Sequence, residues 1–418
     1  MFFFFSISWF LVVFIFMVCT LLFSVGVNCS SLFSLIVFNK VFLFDSISFY
    51  LVVLVIFLGL YSQVLFVDVL TNSVRLYLVL SLVFSVFSFC INHSVIFWCV
   101  YELSMLPLLY LIFKESPYSE RFLAGWYFGG YLLITSLPLI LILFYLSFIN
   151  NSFFFTDWVY NRDINNIIYY LLSFVFFTKV PLVPFHTWLP IVHAEATSIV
   201  SIFLSGYIMK LGLLGVYRSA YFVYDSSFIS YLFICFLTSI CFFIVASNEL
   251  DGKRWLAFLS LSHIVIPFLA FYISDWSSIN FTFFYCLGHG LSAGIVFGLL
   301  WCFYDLSNSR NWLLLKSSIN GVGLSLLVIF CLLSLCSFPT TIQFFCEVNL
   351  VTQSSDNFIY LLFWFVYLFM GGLVPLVLCG HLLIRSEFFE SLNNNSNYPH
   401  FYFLILLCFW CYFGFIIL

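Results

Sequence analysis

The sequence predicts an all-α polytopic membrane protein of about 13 transmembrane helices, two of them broken by proline and related by an inverted repeat. Three observations carry that prediction. First, the 418 residues are 64% hydrophobic and only 7% charged, with a mean hydropathy of +1.17. Soluble domains carry about 25% charged residues because their surfaces face water, so most of this surface must face lipid. Second, the apolar residues form continuous runs of about 20, the length that crosses hydrocarbon as a helix, rather than alternating runs of about ten as in barrel strands. Third, prolines stand beside charges inside two of the runs. A proline removes a helix hydrogen bond, and opened backbone survives in a bilayer only where protein covers it or it lines a cavity.

In chain order the apolar spans fall at 2–26, 47–67, 74–91, 94–113, 122–148, 168–191, 197–218, 227–248, 255–274, 279–303, 318–350, 358–384 and 400–418. The breaks lie in 168–191, at Lys179-Val-Pro181-Leu-Val-Pro184, and in 318–350, where Pro339 precedes Glu347. Broken helices in corresponding halves point to a transport path and to the inverted repeat, although the halves share no visible identity. Asn150–Asn166 and Ser391–His400 read as exposed loops. If the spans alternate, one side collects Arg75, Lys114, Arg121, Lys253, Arg254, Arg310, Lys316 and Arg385, and the other only Lys40, Arg162 and Arg218. Cationic loops stay inside, which predicts an inside amino terminus and an outside carboxy terminus.

Composition also narrows the function. A net charge of −4 without a basic block gives no support for nucleic acid as a partner. Met1 to Gly26 contains no Lys or Arg, unlike a transit or signal peptide, which fits synthesis inside an organelle or in a bacterial inner membrane. The 14 Cys are scattered through apolar sequence, with Cys408-Phe-Trp-Cys411 the one C-x-x-C pair. A zinc or iron–sulfur site wants about four ligands, so the cysteines are expected to act as small hydrophobes and no metal is expected. Nucleotide-binding glycine motifs are absent.

Once the loops account for most ionisable groups, six remain deep in apolar sequence: Glu102, Lys179, Lys210, His263, His289 and Glu347. A charge at the bilayer centre costs about 2.5–3.5 kcal/mol. Six unpaired, lipid-facing groups would therefore cost on the order of 15 kcal/mol, comparable to the whole stability of a domain, about 5–15 kcal/mol. They must face the interior, pair, or meet water. Carboxylate, amine and imidazole groups in a row suit proton transfer, because burial and neighbouring charge shift their proton affinities by several units. Rigid ion pairs that tie helices together use the same residue types. His186 and His193, near the first break, are candidate proton relays or simple capping groups. His93, His381 and His400 are expected at the interface. Gly59, Gly125, Gly206, Gly294 and Gly298 are expected where helices approach closely.

Several stretches resemble one family, the antiporter-like membrane subunits shared by respiratory complex I and Mrp-type cation/proton antiporters. They are Glu120-Arg-Phe-Leu-Ala-Gly-Trp-Tyr-Phe128 with Ser136-Leu-Pro138, Lys179 through His193, Met209-Lys-Leu-Gly212, Asn248-Glu-Leu-Asp-Gly-Lys-Arg254 with Ser262-His263, Gly288-His-Gly-Leu-Ser292, and Phe338-Pro339 with Glu347. The resemblance covers roughly residues 94–350. It implies amino-terminal helices over 1–93, one fewer than the family norm, a translocation core over 94–350, and carboxy-terminal helices over 351–418.

The resemblance further implies that Glu102 pairs with Lys179 and that protons pass along Lys179, Lys210, His263, His289 and Glu347. It implies a non-redox subunit of an NADH:ubiquinone reductase, with no cofactor of its own; NADH, FMN, iron–sulfur clusters and ubiquinone would serve the complex elsewhere. The implied partners are other membrane-arm subunits, especially the antiporter-like subunits 2 and 5, and membrane lipids. The implied location is the mitochondrial inner membrane. One departure is that Ala196 is followed by Thr197 where the family usually has proline, so the helix start near Thr197 is expected to differ. A free-standing Mrp-type antiporter, a haem-carrying subunit using His263 and His289, and a non-pumping scaffold are the competing readings.

Overall fold

A computed structural model describes residues 36–67, 69–158, 166–220, 228–273, 279–316, 319, 322–355, 357–384 and 398–417. The predicted span 2–26, Arg162, Arg385 and residues 391–397 of the second predicted loop lie outside them.

A short antiparallel hairpin, β1 (Ile36–Asn39) and β2 (Phe42–Phe44), which the sequence pattern did not predict, leads into the helices. The chain then forms α1 (Ser46–Leu65), α2 (Asn72–Cys90), α3 (Ser94–Glu115) and α4 (Arg121–Ile149). Asp45 starts α1 by accepting the Ser48 amide at 2.7 Å, which satisfies one of the helix's free amide groups. Next come α5 (Asn166–Lys179) and α6 (Trp188–Glu195), the halves of the first broken span. α7 (Ser198–Ala220) contains a π-turn at Leu204–Ile208, and α8 (Ile229–Asn248), α9 (Gly252–Ile273) and α10 (Ile279–Ser307) follow. The short α11 (Trp312–Leu315) leads to the second broken span, α12 (Val322–Leu335) and α13 (Ile342–Gln353), and then to α14 (Phe358–Leu383) and α15 (Tyr398–Ile417). Among the described residues ten helices are long and apolar enough to cross a membrane, and α5 and α12 are shorter apolar helices. Every predicted span after the first falls on helix.

The apolar stretches of α7 and α10 are buried and form the centre, whereas α4 and α14 are mostly outward-facing. α10 packs against α1, α7, α13 and α15. The approach is close because Gly290 carries no side chain: a Cβ there would lie 2.6 Å from Leu54 Cδ2 on α1 and 3.0 Å from the Gly206 carbonyl on α7. Small residues at such crossings are what membrane helices use in place of a hydrophobic driving force. Gly59, Gly125, Gly206, Gly294 and Gly298 likewise face side chains too near for a Cβ. On the outside, Trp126, Ile134 and Phe148 of α4 are 70–81% exposed, the pattern of a face turned to lipid or another apolar surface.

The two breaks differ in their cover. At the first, the Thr178 carbonyl accepts Trp188 Nε1 at 2.9 Å and the Val183 carbonyl accepts the Tyr231 hydroxyl at 2.6 Å. Side chains thus replace hydrogen bonds that helix geometry no longer supplies. At the second, Ser337 and Thr340 adopt φ of 48° and 95°, Thr341 caps α13, and residues 338–340 are exposed.

The structure corrects several assignments. Arg75, Arg218 and Lys253, counted as loop cations, are buried side chains. Lys253 Nζ donates to the Ala196 carbonyl at 2.8 Å. Arg218 donates to the Ile91 and Phe89 carbonyls at 2.7 and 2.8 Å. Carbonyls at span ends lack helical partners, and a long cationic side chain can reach back to them. His400, expected at the interface, is buried in α15, bonded to Asp305 at 3.0 Å and set between the rings of Phe66 and Trp301. Without the usual proline, α7 still starts at Ser198, with Thr197 extended before it.

Candidate functional site

Five of the six deep ionisable residues are at most 3% exposed: Lys179, Lys210, His263, His289 and Glu347. Four of these come together around α10. Lys210 lies just after the π-turn of α7, whose widened geometry leaves the Ser205 carbonyl facing inward; Nζ donates to it at 2.6 Å. π-turns recur at functional sites for this reason. The same Nζ lies 3.0 Å from His289 Nδ1 on α10. Two full charges at that distance repel by about 5 kcal/mol at an effective dielectric of about 20, so the pair is suited to share a single extra proton.

The row continues. The His263 ring, at the bend in α9, stands 5.9 Å from the His289 ring. Its Nδ1 contacts the Tyr367 hydroxyl on α14 at 2.5 Å. The Tyr285 hydroxyl, from α10, lies 3.4 Å from the Tyr367 hydroxyl. Glu347 on α13 is within electrostatic reach of Tyr285, Tyr367 and Ser337, and its Oε1 has no hydrogen-bond partner among the described residues. The path through these contacts is Lys210, His289, His263, Tyr367, Glu347.

Glu102 and Lys179 stand apart from it. Lys179 is the last residue of α5, where a cation faces the negative end of the helix dipole. Glu102 is half-buried on α3. The two interact electrostatically, but among the described residues no hydrogen bond or ion pair joins them, and Lys179 Nζ and Glu102 Oε1 have no hydrogen-bond partner. The implied pair is thus an electrostatic coupling without a hydrogen bond or ion pair. His186 sits in the first break against the Phe242 ring, its Nδ1 unbonded. His193 on α6 is fully buried against Phe297 with both ring nitrogens unbonded. Buried polar atoms are almost always satisfied by protein or water, so these positions call for water.

Sequence reasoning missed Tyr285, Tyr367, Gln343 and the Lys253 cluster. Tyr285 precedes His289 by one helical turn, and Gln343 precedes Glu347 likewise, a spacing that puts each pair on one face; that signal was present. Gln343 is fully buried with both amide atoms unbonded. Tyr367 has no local signal at all. At one end of the core, Arg310 lies 3.8 Å from Glu195 and 3.6 Å from Asp251, and the ring of Tyr118 is flanked by Arg310 and Lys253. Burial of the Tyr118 phenol, in the loop before α4, raises its pKa. Ser116 donates to the Glu195 carbonyl, so this cluster ties that loop to the end of α6.

Comparison with known proteins follows the same lines. The family described as NADH:quinone oxidoreductase/Mrp antiporter, transmembrane, matches residues 92–372. The chain is 30% identical to NADH-ubiquinone oxidoreductase chain 4 of Locusta migratoria over 54% of its own length and 51% of the locust protein's. It is 27% identical to the chain of the same name from Rhipicephalus sanguineus, over 75% of its own length and 73% of that protein's. Among solved structures it resembles a chain of respiratory complex I from Thermus thermophilus with bound NADH, at a TM-score of 0.78 and 18% identity, covering 89% of this chain and 82% of that one. It also resembles a chain of the Mrp complex from Dietzia sp. DQ12-45-1b, at a TM-score of 0.67 and 16% identity, covering 82% and 66%.

Proposed function

Because the chain belongs to the NADH:quinone oxidoreductase/Mrp antiporter transmembrane family, we propose that it is a proton-translocating membrane-arm subunit of an NADH:ubiquinone oxidoreductase, the counterpart of chain 4. The observation that carries this reading is the buried Lys210–His289 contact at 3.0 Å, continued through His263 and Tyr367 to Glu347. A row of exchangeable groups across an apolar core suits proton movement, and a membrane scaffold has no use for it at this cost.

The chain's own residues divide the work. Lys210 holds a proton against the Ser205 carbonyl and passes it to His289. His263 carries it onward, and Glu347 receives it beside the second break. Lys179 and Glu102 bias that row electrostatically: movement of either relative to the other changes how readily Lys179 keeps its proton. The translocation core is residues 94–350. On this reading nicotinamide, flavin, iron–sulfur clusters and quinone act in other subunits, and this one contributes to the enzyme as a translocase.

Partners follow from the second break. Its exposed residues 338–340 present non-helical backbone at the protein surface, which a bilayer does not tolerate uncovered. A neighbouring antiporter-like subunit, of the kind of subunits 2 and 5, supplies the cover. The location is the mitochondrial inner membrane, with the amino terminus in the matrix.

The test is a peptide inventory of the native complex that contains the chain, joined to proton pumping by a Lys210→Met variant. Co-purification with NADH-oxidising subunits and a pumping loss of at least tenfold in assembled complex are expected. Full pumping by Lys210→Met sinks the reading. Recovery with sodium-transport subunits and no NADH-oxidising ones favours the free-standing antiporter, which the Dietzia fold likeness makes the second reading.

A further inference from the structure

Resting on that reading, we infer that the Tyr367 hydroxyl is itself a proton-transferring group, bridging His263 and Glu347, and that Tyr285 positions it. Among the described residues, Tyr367 is the exchangeable side chain that contacts His263 on the side toward Glu347. Its hydroxyl meets the His263 Nδ1 at 2.5 Å and the Tyr285 hydroxyl at 3.4 Å, and Glu347, whose Oε1 has no partner among the described residues, lies within its electrostatic reach. A phenol has one hydrogen to donate and two lone pairs to accept with, so the two contacts leave it capacity for a third, to Glu347. Only one assignment lets a proton pass: His263 Nδ1–H donates to the Tyr367 oxygen while the Tyr367 O–H donates to the Glu347 carboxylate.

The transfer balances without any change in the tyrosine. A proton arriving at His263 Nε2, which has no other partner, makes the ring cationic. The Nδ1–H bond breaks, a new O–H forms on Tyr367, its original O–H breaks, and an O–H forms on Glu347. The imidazole ends neutral with its proton on Nε2, the carboxylate ends as the neutral acid, and no electron leaves either residue.

Packing supports a fixed geometry. Tyr367 and Tyr285 are each 1% exposed. The Tyr367 ring is held by Phe243, Phe363 and Trp364 at centroid distances of 5.5, 5.5 and 5.6 Å. The Tyr285 hydroxyl lies 3.5 Å from the His263 carbonyl, and its ring stacks over His289. The phenol pair is thus locked to both histidines by side chains from four helices.

The experiment compares Tyr367→Phe, Tyr367→His, Tyr285→Phe and Glu347→Gln in the assembled complex, reading proton pumping per NADH, assembly on native gels, and KM for NADH and quinone. Tyr367→Phe removes one oxygen and keeps the ring. It is expected to lower pumping at least fivefold, with both KM values within twofold of native. Tyr367→His restores an exchangeable proton and is expected to pump at least three times faster than Tyr367→Phe. Tyr285→Phe is expected to lose no more than threefold. Pumping by Tyr367→Phe above half the native rate overturns the inference, as does equal loss in the Phe and His variants. If Tyr367→Phe fails to accumulate, Tyr367→His decides: above a third of native pumping supports the bridge, and a few per cent in assembled complex overturns it. Glu347→Gln separates this inference from the reading beneath it. Low pumping there beside normal Tyr367→Phe removes only the bridge, whereas normal pumping in both removes the proton path.

Discussion

The two broken spans use one device in different surroundings. At the first, Lys179, Val180, Pro181 and Leu182 are buried while Pro184 and Thr187 are exposed, Pro181 has a φ of 22°, and Trp188 and Tyr231 satisfy opened backbone from within the subunit. At the second, residues 338–340 are exposed, and Ser337 and Thr340 are held in left-handed conformations. Their ionisable residues are alike in one respect, since Lys179 Nζ and Glu347 Oε1 both lack a hydrogen-bond partner among the described residues, and differ in another: Lys179 is coupled to a carboxylate, Glu102, and Glu347 to the hydroxyls of Ser337, Tyr285 and Tyr367. One break thus sets its charge against another charge, and the other sets it among neutral exchangeable groups.

The largest effect that can break this comparison is at Lys179. Lys179→Met is expected to lower coupled proton pumping at least tenfold in assembled complex, because the charge that answers Glu102 is gone. Lys179→Arg keeps the charge but holds its proton permanently, so it should fail nearly as badly if Lys179 carries protons. Near-normal pumping with Arg reduces Lys179 to a fixed charge.

Glu102→Gln should cost less, about three- to fivefold in pumping, since the two residues are coupled without contact. A loss as deep as that of Lys179→Met, measured in the same membranes, would show a contact formed during turnover.

Packing at the centre gives a third, structural measure. Gly290→Val pushes methyl groups into Leu54 and the Gly206 carbonyl, and overpacking costs about 1–3 kcal/mol. Assembled complex on native gels should fall two- to fivefold, and unchanged assembly would mean that α1 and α7 can yield. The smallest effect is expected at Thr340→Gly. The change relieves backbone strain of about 1–3 kcal/mol, less the roughly 1 kcal/mol that glycine costs in freedom. A rise of a few degrees in the dissociation temperature of the complex is the readout, and a fall would show that the strain is absorbed by the partner that covers the break.

Much of this was legible in the residues because the bilayer makes it a local matter. Hydrocarbon thickness sets the length of a span, so apolar run length alone located α1 to α4, α7 to α10, α14 and α15 within a few residues. Proline chemistry located both breaks, and the expense of burying charge singled out six groups, of which Lys179, Lys210, His263, His289 and Glu347 are buried and Glu102 is half-buried. Which of them touch was decided only by packing. Lys210 and His289 are 79 positions apart, and His263 and Tyr367 are 104 apart; nothing in either segment's own pattern encodes the partner. Glu102 and Lys179, paired by resemblance, are coupled electrostatically with no hydrogen bond or ion pair between them. Lys253 read as a loop cation because it falls between two predicted spans, yet the Ala196 carbonyl and the Tyr118 ring draw it inside. Sequence determines which groups must leave the lipid; only the helix packing decides whom they meet, because hydrogen bonds depend on distances of a few tenths of an ångström that no single span controls.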